Sequence, residues 1–207
     1  MIVVIDYGMG NLHSVCKALE VAGARAKASS DPRDIAKAER IVFPGVGSFG
    51  EAMKELKRRK LIAPIKDAIV EGKPFLGLCL GLQLLFEESE EAPGVKGLCI
   101  LRGEVKKFRS KDLKVPHMGW NNIAYSLKLN TGSVKLLKGV PKDAYMYFVH
   151  SYYVKPEDKN VMLTTTDYGI NFVSGVCKGN IYALQFHPEK SQELGLRILK
   201  NFIAVKG

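Results

Sequence analysis

Short apolar runs alternate with amphipathic stretches along the first half of the chain. Residues 2–5, Ile-Val-Val-Ile, form an unbroken apolar run and read as a buried strand. A helical pattern starts at Leu12, a strand follows near 25–28, and Asp31-Pro32 opens the next helix as N-cap and first helical residue. The same logic gives a strand over 40–43, helices over 50–58 and 61–71, a strand over 75–78 and a helix running on to Glu88. In the second half the segments become shorter and β-like: 98–101, 104–108, 123–124, 146–150, 161–166, 172–178 and 181–185. Gly179-Asn180 joins the last two as a tight hairpin, and an amphipathic helix closes the chain over about 191–203. The alternation predicts an α/β fold: a mostly parallel sheet with helices on both faces, plus a smaller antiparallel β portion in the C-terminal half. No repeat, low-complexity segment or linker interrupts the 207 residues, so 1–207 is expected to be a single domain.

Composition narrows the class. Hydrophobic residues at 46% and charged residues at 25% suit a soluble globular protein, and no apolar stretch reaches the about 18 residues of a membrane span. The first apolar run is too short for a signal peptide and lacks a basic lead-in, so a cytoplasmic location is expected. Four cysteines, at 16, 79, 99 and 177, stand without paired spacing, which argues against disulfides and against a metal site. Cys16, Cys99 and Cys177 read as core residues. The net charge of +10 does not point to nucleic acid, because the lysines are dispersed. The densest run, Lys54 to Lys60, continues a helix whose apolar stripe is Met53, Leu56 and Leu61.

One segment carries candidate chemistry. In Lys73-Pro-Phe-Leu-Gly-Leu-Cys-Leu-Gly-Leu-Gln83, Gly77 and Gly81 flank Cys79 where a strand pattern gives way to a helical one. That is the form of a nucleophile elbow: glycines let the backbone turn sharply, and the thiol is expected to sit exposed at a helix N-terminus that favours the thiolate. On this segment alone a buried, inert core cysteine reads equally well. The balance shifts with His187-Pro-Glu189 at the end of the last strand. Pro188 holds His187 extended, and two residues apart in an extended segment His187 and Glu189 project to the same side. A thiol, a base and a carboxylate that orients the base are the parts of a nucleophilic triad. Gly45-Val-Gly-Ser-Phe-Gly50 matches a dinucleotide fingerprint but follows the third strand and lacks the later acidic residue, so it reads instead as a Gly-rich turn offering N–H groups beside the elbow.

With these residues in place, the sequence resembles the class I glutamine amidotransferases, whose fold is flavodoxin-like. Asp6-Tyr-Gly-Met-Gly-Asn-Leu12, Pro44-Gly-Val-Gly47 and Pro116-His-Met-Gly-Trp-Asn121 make it similar to the glutaminase subunits of imidazole glycerol phosphate synthase in particular. The resemblance spans essentially the whole chain; Leu82 stands where those proteins commonly carry methionine. It implies Cys79, His187 and Glu189 as the catalytic triad, and Val46, Gly47 and Leu80 as the oxyanion hole. Gly45, Gly47, Gln83, Glu91, Ser151 and Tyr152 would bind L-glutamine, although Glu91 within Glu87-Glu-Ser-Glu-Glu91 reads equally well as part of a solvated acidic run. Pro116, His117, Met118 and Trp120 would form a docking face, with Tyr147 and Lys190 lining an ammonia exit. It further implies no cofactor, no metal, and a separate (βα)₈-barrel cyclase as partner in a heterodimer that makes imidazole glycerol phosphate in histidine biosynthesis. The rival readings are a glutaminase of another amidotransferase, an intracellular hydrolase of the same fold, and an inactive scaffold. Leu80 counts against the hydrolase, since such peptidases place a histidine directly after the nucleophile.

Overall fold

The computed structural model describes residues 1–109, 113–126 and 133–205. Its first half runs β1 (Ile2–Ile5), α1 (Leu12–Val21), β2 (Ala26–Ser29), α2 (Pro32–Lys37), β3 (Arg40–Phe43), α3 (Phe49–Arg58), α4 (Ile62–Val70), β4 (Phe75–Leu78) and the one-turn α5 (Leu80–Gln83). The second half begins with β5 (Glu88–Ser89), β6 (Gly103–Lys107), β7 (His117–Asn122), β8 (Ala124–Tyr125) and α6 (Ser133–Leu136). It continues with β9 (Tyr145–His150), β10 (Tyr152–Pro156), β11 (Met162–Asp167), β12 (Asn171–Lys178), β13 (Ile181–Leu184) and α7 (Gln192–Ala204).

The main sheet has the order β2-β1-β3-β4-β13-β12-β10-β6-β5, with β11 beside β12 and β8 beside β11. Strands β2, β1, β3, β4 and β13 are mutually parallel, and β12, β10 and β6 continue the sheet antiparallel. A separate antiparallel pair joins β7 to β9. The expected α/β arrangement is therefore present. Its cause is visible in the central strands β1, β4 and β13, which are buried at every position because successive side chains enter opposite cores. Val3, Ile5, Phe43 and Ala183 pack with Ile35, Leu56 and Ile65 of α2, α3 and α4. Ile2, Val4, Leu78 and Leu184 pack with Leu19, Ile198 and Phe202 of α1 and α7.

Local signals place the helices. Asp31 accepts from the Arg33 N–H at 2.8 Å with Pro32 as first helical residue. Asn11 caps α1 through the Ser14 N–H. On α3 the stripe Phe49, Ala52, Met53 and Leu56 is buried, and on its outer face Glu55 pairs with Arg58 and Arg59. The basic run is a solvated helix face, as its pattern suggests.

Two expectations fail locally, and three strands go unforeseen. The helix after Cys79 ends at Gln83 instead of Glu88, because Leu84, Leu85 and Phe86 are all fully buried and a one-sided helix cannot bury three consecutive side chains. Residues 98–101 form no strand; their N–H groups bond to carbonyls of Leu84, Leu85 and Phe86, bracing the turn behind the elbow. The polar strands β5 and β10 and most of β7 carry little hydrophobic alternation and escape a pattern-based reading. Among the described residues, no helix is long and apolar enough to cross a membrane.

Candidate active site

Strands β3, β4 and β13 are parallel neighbours, with Phe43 opposite Gly77 and Leu78 opposite Leu184. The chain thus leaves one edge of the sheet three times side by side, carrying Pro44-Gly-Val-Gly47, Cys79 and Gln185-Phe-His187 to the same place. Carboxyl ends of parallel strands are where such sheets bind ligands.

Cys79 has φ +53° and ψ −108°, a strained conformation for any residue with a Cβ, costing of order 1–3 kcal/mol. Its N–H donates to Leu184 O at 2.7 Å, which ties the bend to β13. The flanking glycines serve a different purpose from the one expected. Neither Gly77 nor Gly81 has a positive φ; the sharp turn falls on Cys79 itself. They supply space: a Cβ on Gly81 would strike the Phe43 carbonyl, and one on Gly77 would lie 3.0 Å from Ala183 Cβ. Nor is the thiol exposed. Cys79 is 6% accessible and forms the floor of a cavity of about 300 Å³. With α5 only one turn long, its dipole contributes little.

His187 lines the same cavity. Its Nδ1 lies 2.7 Å from Glu189 Oε1, and both side chains are almost fully buried. Glu189 reaches the ring from a short 3₁₀ turn over Pro188–Lys190 and not from the extended segment expected. That turn is pinned: Ser191 Oγ donates to His187 O, and the Tyr147 N–H donates to Ser191 Oγ. His187 Nε2 is buried without a hydrogen-bond partner. Burial alone disfavours an imidazolium, but negative charge on Cys79 and Glu189 outweighs it and raises the ring above the ordinary histidine range. A base flanked on both sides in this way can shuttle one proton beside a sulfur nucleophile.

The other expected site residues distribute unevenly. Val46, Gly47, Leu80, Gln83, Glu91, Ser151 and Tyr152 all line the cavity. Gly45 lies behind it, packed so closely on Tyr7 Oη and Leu80 that a Cβ would reach 2.5 Å and 2.8 Å from them. Gly47 has φ +98° at the open mouth. Glu91 is half-buried in the cavity wall, and its Oε2 accepts the Phe49 N–H at 2.7 Å, capping α3, whose Ser48 supplies no side-chain cap. Burial and the Glu91 charge both raise the Tyr152 hydroxyl.

A match to the class-I glutamine amidotransferase family covers residues 3–205. Imidazole glycerol phosphate synthase subunit HisH of Gloeothece citriformis is 52% identical, over 98% of this chain and 95% of its own length. The subunit HisH of Aquifex aeolicus is 51% identical over 97% and 94%. The chain is a class-I glutamine amidotransferase of the HisH family. A solved glutamine amidotransferase matches its fold with TM-score 0.74 at 18% identity, covering 98% of this chain and 99% of that one. The glutaminase domain of Trypanosoma brucei CTPS with bound acivicin matches with TM-score 0.71, also at 18% identity, over 98% and 92%.

In this amidotransferase the residues expected to form a docking face split between surface and core. Met118 and Trp120 are 61% and 47% exposed on β7, Pro116 and Lys190 are exposed, and Trp120 meets Tyr147 edge-on across the β7–β9 pair. His117 is the exception. It points inward, 3% accessible, stacked between Tyr168 and Phe148, so its ring forms no surface. Sequence reasoning missed its partner, His150, whose Nε2 lies 3.0 Å from His117 Nδ1. His150 Nδ1 lies 2.8 Å from Tyr152 O, which can only accept. His150 is therefore the Nδ1–H tautomer, and its Nε2 accepts from His117.

Burial lowers His117 to about 4 and His150 to about 3, so both stay neutral. The unfolded chain, with histidines near about 6.5, binds more protons than the folded one below that value, and stability present above it is lost as pH falls. Unfolding free energies from urea titration are expected to fall by about 3 kcal/mol between about pH 7 and about pH 5, each neutral histidine costing about 2 kcal/mol and the raised His187 returning about 1, before carboxylates of ordinary pKa titrate. A flat profile over that window would show that the pair is not held neutral.

Proposed function

We propose that Cys79, His187 and Glu189 form the triad by which this amidotransferase hydrolyses L-glutamine to glutamate and ammonia. The observation that carries the reading is a strained, cavity-floor cysteine sharing its pocket with a histidine whose far nitrogen is held by a buried carboxylate. The Cys79 thiolate attacks the carboxamide carbon, and His187 protonates the departing ammonia. His187 then takes a proton from water, which cleaves the thioester and regenerates the thiolate. Glu189 holds the tautomer. The Leu80 N–H and the Val46-Gly47 backbone, at the mouth of the same cavity, serve the oxyanion. Gly45, Gly47, Gln83, Ser151 and Tyr152 shape the glutamine site, and the Glu91 charge attracts the substrate ammonium.

Residues 1–207 act as one amidotransferase unit in the cytoplasm, a reading supported by two cores sharing one sheet and by four free cysteines. Ammonia passes to a separate (βα)₈-barrel cyclase that binds as a heterodimer partner on the Met118–Trp120 face, beside Tyr147 and Lys190. A glutamine-mimicking electrophile is expected to label Cys79 at low reagent excess, with peptide mapping as the readout. Cys99 makes this a stringent test. Contrary to the sequence reading it is exposed, and Cys16 is only half-buried, so reactivity and not access must select Cys79. Predominant labelling of Cys99 would overturn the assignment.

A further inference from the structure

Behind the nucleophile lie two buried carboxamides that the triad does not use. Gln185 is fully buried at the end of β13, one residue past Leu184, which accepts the Cys79 N–H. Its Nε2 lies 3.6 Å from Cys79 Sγ, and its Oε1 lies 3.1 Å from Gln83 Nε2. The orientation of both amides follows from one fixed point. Tyr152 O can only accept, and Gln83 presents Nε2 to it at 3.0 Å. The same Nε2 faces Gln185, which must therefore present its carbonyl there and turn its N–H₂ group toward the sulfur. Tyr152 O is anchored in turn by His150, His150 by His117, and His117 by Asn121 Nδ2, which also donates to Asp167 O. Donors thus converge on Tyr152 O from both sides, His150 from the β7–β9 pair and Gln83 from the elbow, and each side chain in the chain has its orientation fixed by that carbonyl.

We propose that the Gln185 carboxamide donates a hydrogen bond to the Cys79 thiolate, stabilising it before attack and again when the C–S bond of the thioester breaks and the pair of electrons returns to sulfur. This rests on the triad reading above. The sulfur has a different partner when protonated: Val149 O, 3.8 Å away, accepts the S–H and offers nothing to a thiolate. Gln185 does the reverse, because a charged sulfur is a far better acceptor than a thiol. Among the described residues, the other ionisable groups around the sulfur are His187 and Glu189 beyond β13, Tyr7 beyond β1, and Glu91, His150 and Tyr152 on the cavity wall. Tyr7 gives its hydroxyl proton to Pro44 O and not to the sulfur. Gln185 is thus the neutral donor that complements the imidazolium.

The test uses Gln185→Glu, whose shape and carboxylate oxygen keep the bond from Gln83 while removing the donor, and Gln185→Met, which removes both. Iodoacetamide alkylation of Cys79, followed by peptide mapping so that Cys99 does not contribute, is measured against pH in the intact chain. The half-maximal pH is expected to rise by about one unit in Gln185→Met and further in Gln185→Glu, where a negative charge faces the thiolate. With the partner subunit bound, kcat/KM for glutamine should fall about tenfold or more with KM little changed, since Gln185 meets sulfur and not substrate. A purely structural glutamine would lower the melting temperature and leave the alkylation profile of the folded protein in place; that result overturns the proposal. In the unaltered chain, the isotope-labelled side-chain amide signals of Gln185 should move when Cys79 is alkylated. Their failure to move overturns it as well, whether or not the variants fold. If the parent protein shows no Cys79-dependent glutamate release, the triad reading fails; if it does and the Gln185 variants titrate like it, only the donor is refuted.

Discussion

Glutamate release is expected to fall by about 10⁴-fold or more in Cys79→Ala and in His187→Ala, because each removes a group that every step of the cycle requires. Glu189→Gln should fall less far. Nucleophile and base remain, but the partner of Nδ1 at 2.7 Å is no longer a carboxylate, so the ring loses its enforced tautomer and the charge that helps raise it. The strain at Cys79 adds a control that separates chemistry from folding. Cys79→Gly and Cys79→Ala both lack the thiol, yet only glycine adopts φ +53° freely. Cys79→Gly is expected to be about 1 kcal/mol more stable than Cys79→Ala by urea unfolding while equally inactive. A thiol-less variant that still released glutamate would end the triad reading. Equal stability of the two variants would show that the elbow conformation carries no strain.

How much of this was legible beforehand depended on whether the signal was local. Cys79 between its glycines and His187-Pro-Glu189 are compact motifs, and hydrophobic runs placed the parallel strands to within a residue or so. The reason for the glycines was not legible, because it lies in the Phe43 carbonyl and Ala183, which come from neighbouring strands. Glu91 was ambiguous within its acidic run for the same reason: its partner, the start of α3, is 42 residues away. His117 and His150 are brought opposite each other by the β7–β9 register, and no spacing in the sequence announces it. Gln185 did leave a trace. It is the one polar residue in an apolar run from Ile181 to Phe186, and a polar side chain in such a strand must find a buried partner. The exposure of Trp120 left none, since an aromatic residue on a strand more often packs inward.

That exposed face leads to the remaining large effect. The isolated chain is expected to release glutamate slowly and to accelerate when the cyclase proposed above as its partner binds, more so with acceptor ligand present. Met118, Trp120 and Tyr145 leave an apolar patch open on the β7–β9 pair, of the kind that marks a docking site. Trp120 packs edge-on against Tyr147, and Lys190 Nζ sits 5.7 Å above the Tyr147 ring. Tyr147 is tied to His187 directly, its carbonyl accepting the His187 N–H at 2.9 Å and its N–H donating to Ser191 Oγ. A partner that captures Trp120 therefore acts on β9, the strand whose Tyr147 carbonyl holds the His187 N–H. The glycines at 45 and 47 in the facing loop give the oxyanion donors an easily altered backbone. If docking favours the active arrangement by about 1.4 kcal/mol, turnover rises tenfold, and larger biases scale accordingly. Trp120→Ala should weaken the complex by about 2 kcal/mol, roughly 30-fold in Kd by titration calorimetry, as expected for an anchoring aromatic. Steady-state glutamate release is the companion measurement, for the chain alone, with cyclase, and with cyclase plus acceptor ligand. A chain that alone matches the full complex would exclude gating through this face, and an unchanged Kd in Trp120→Ala would place the docking surface elsewhere.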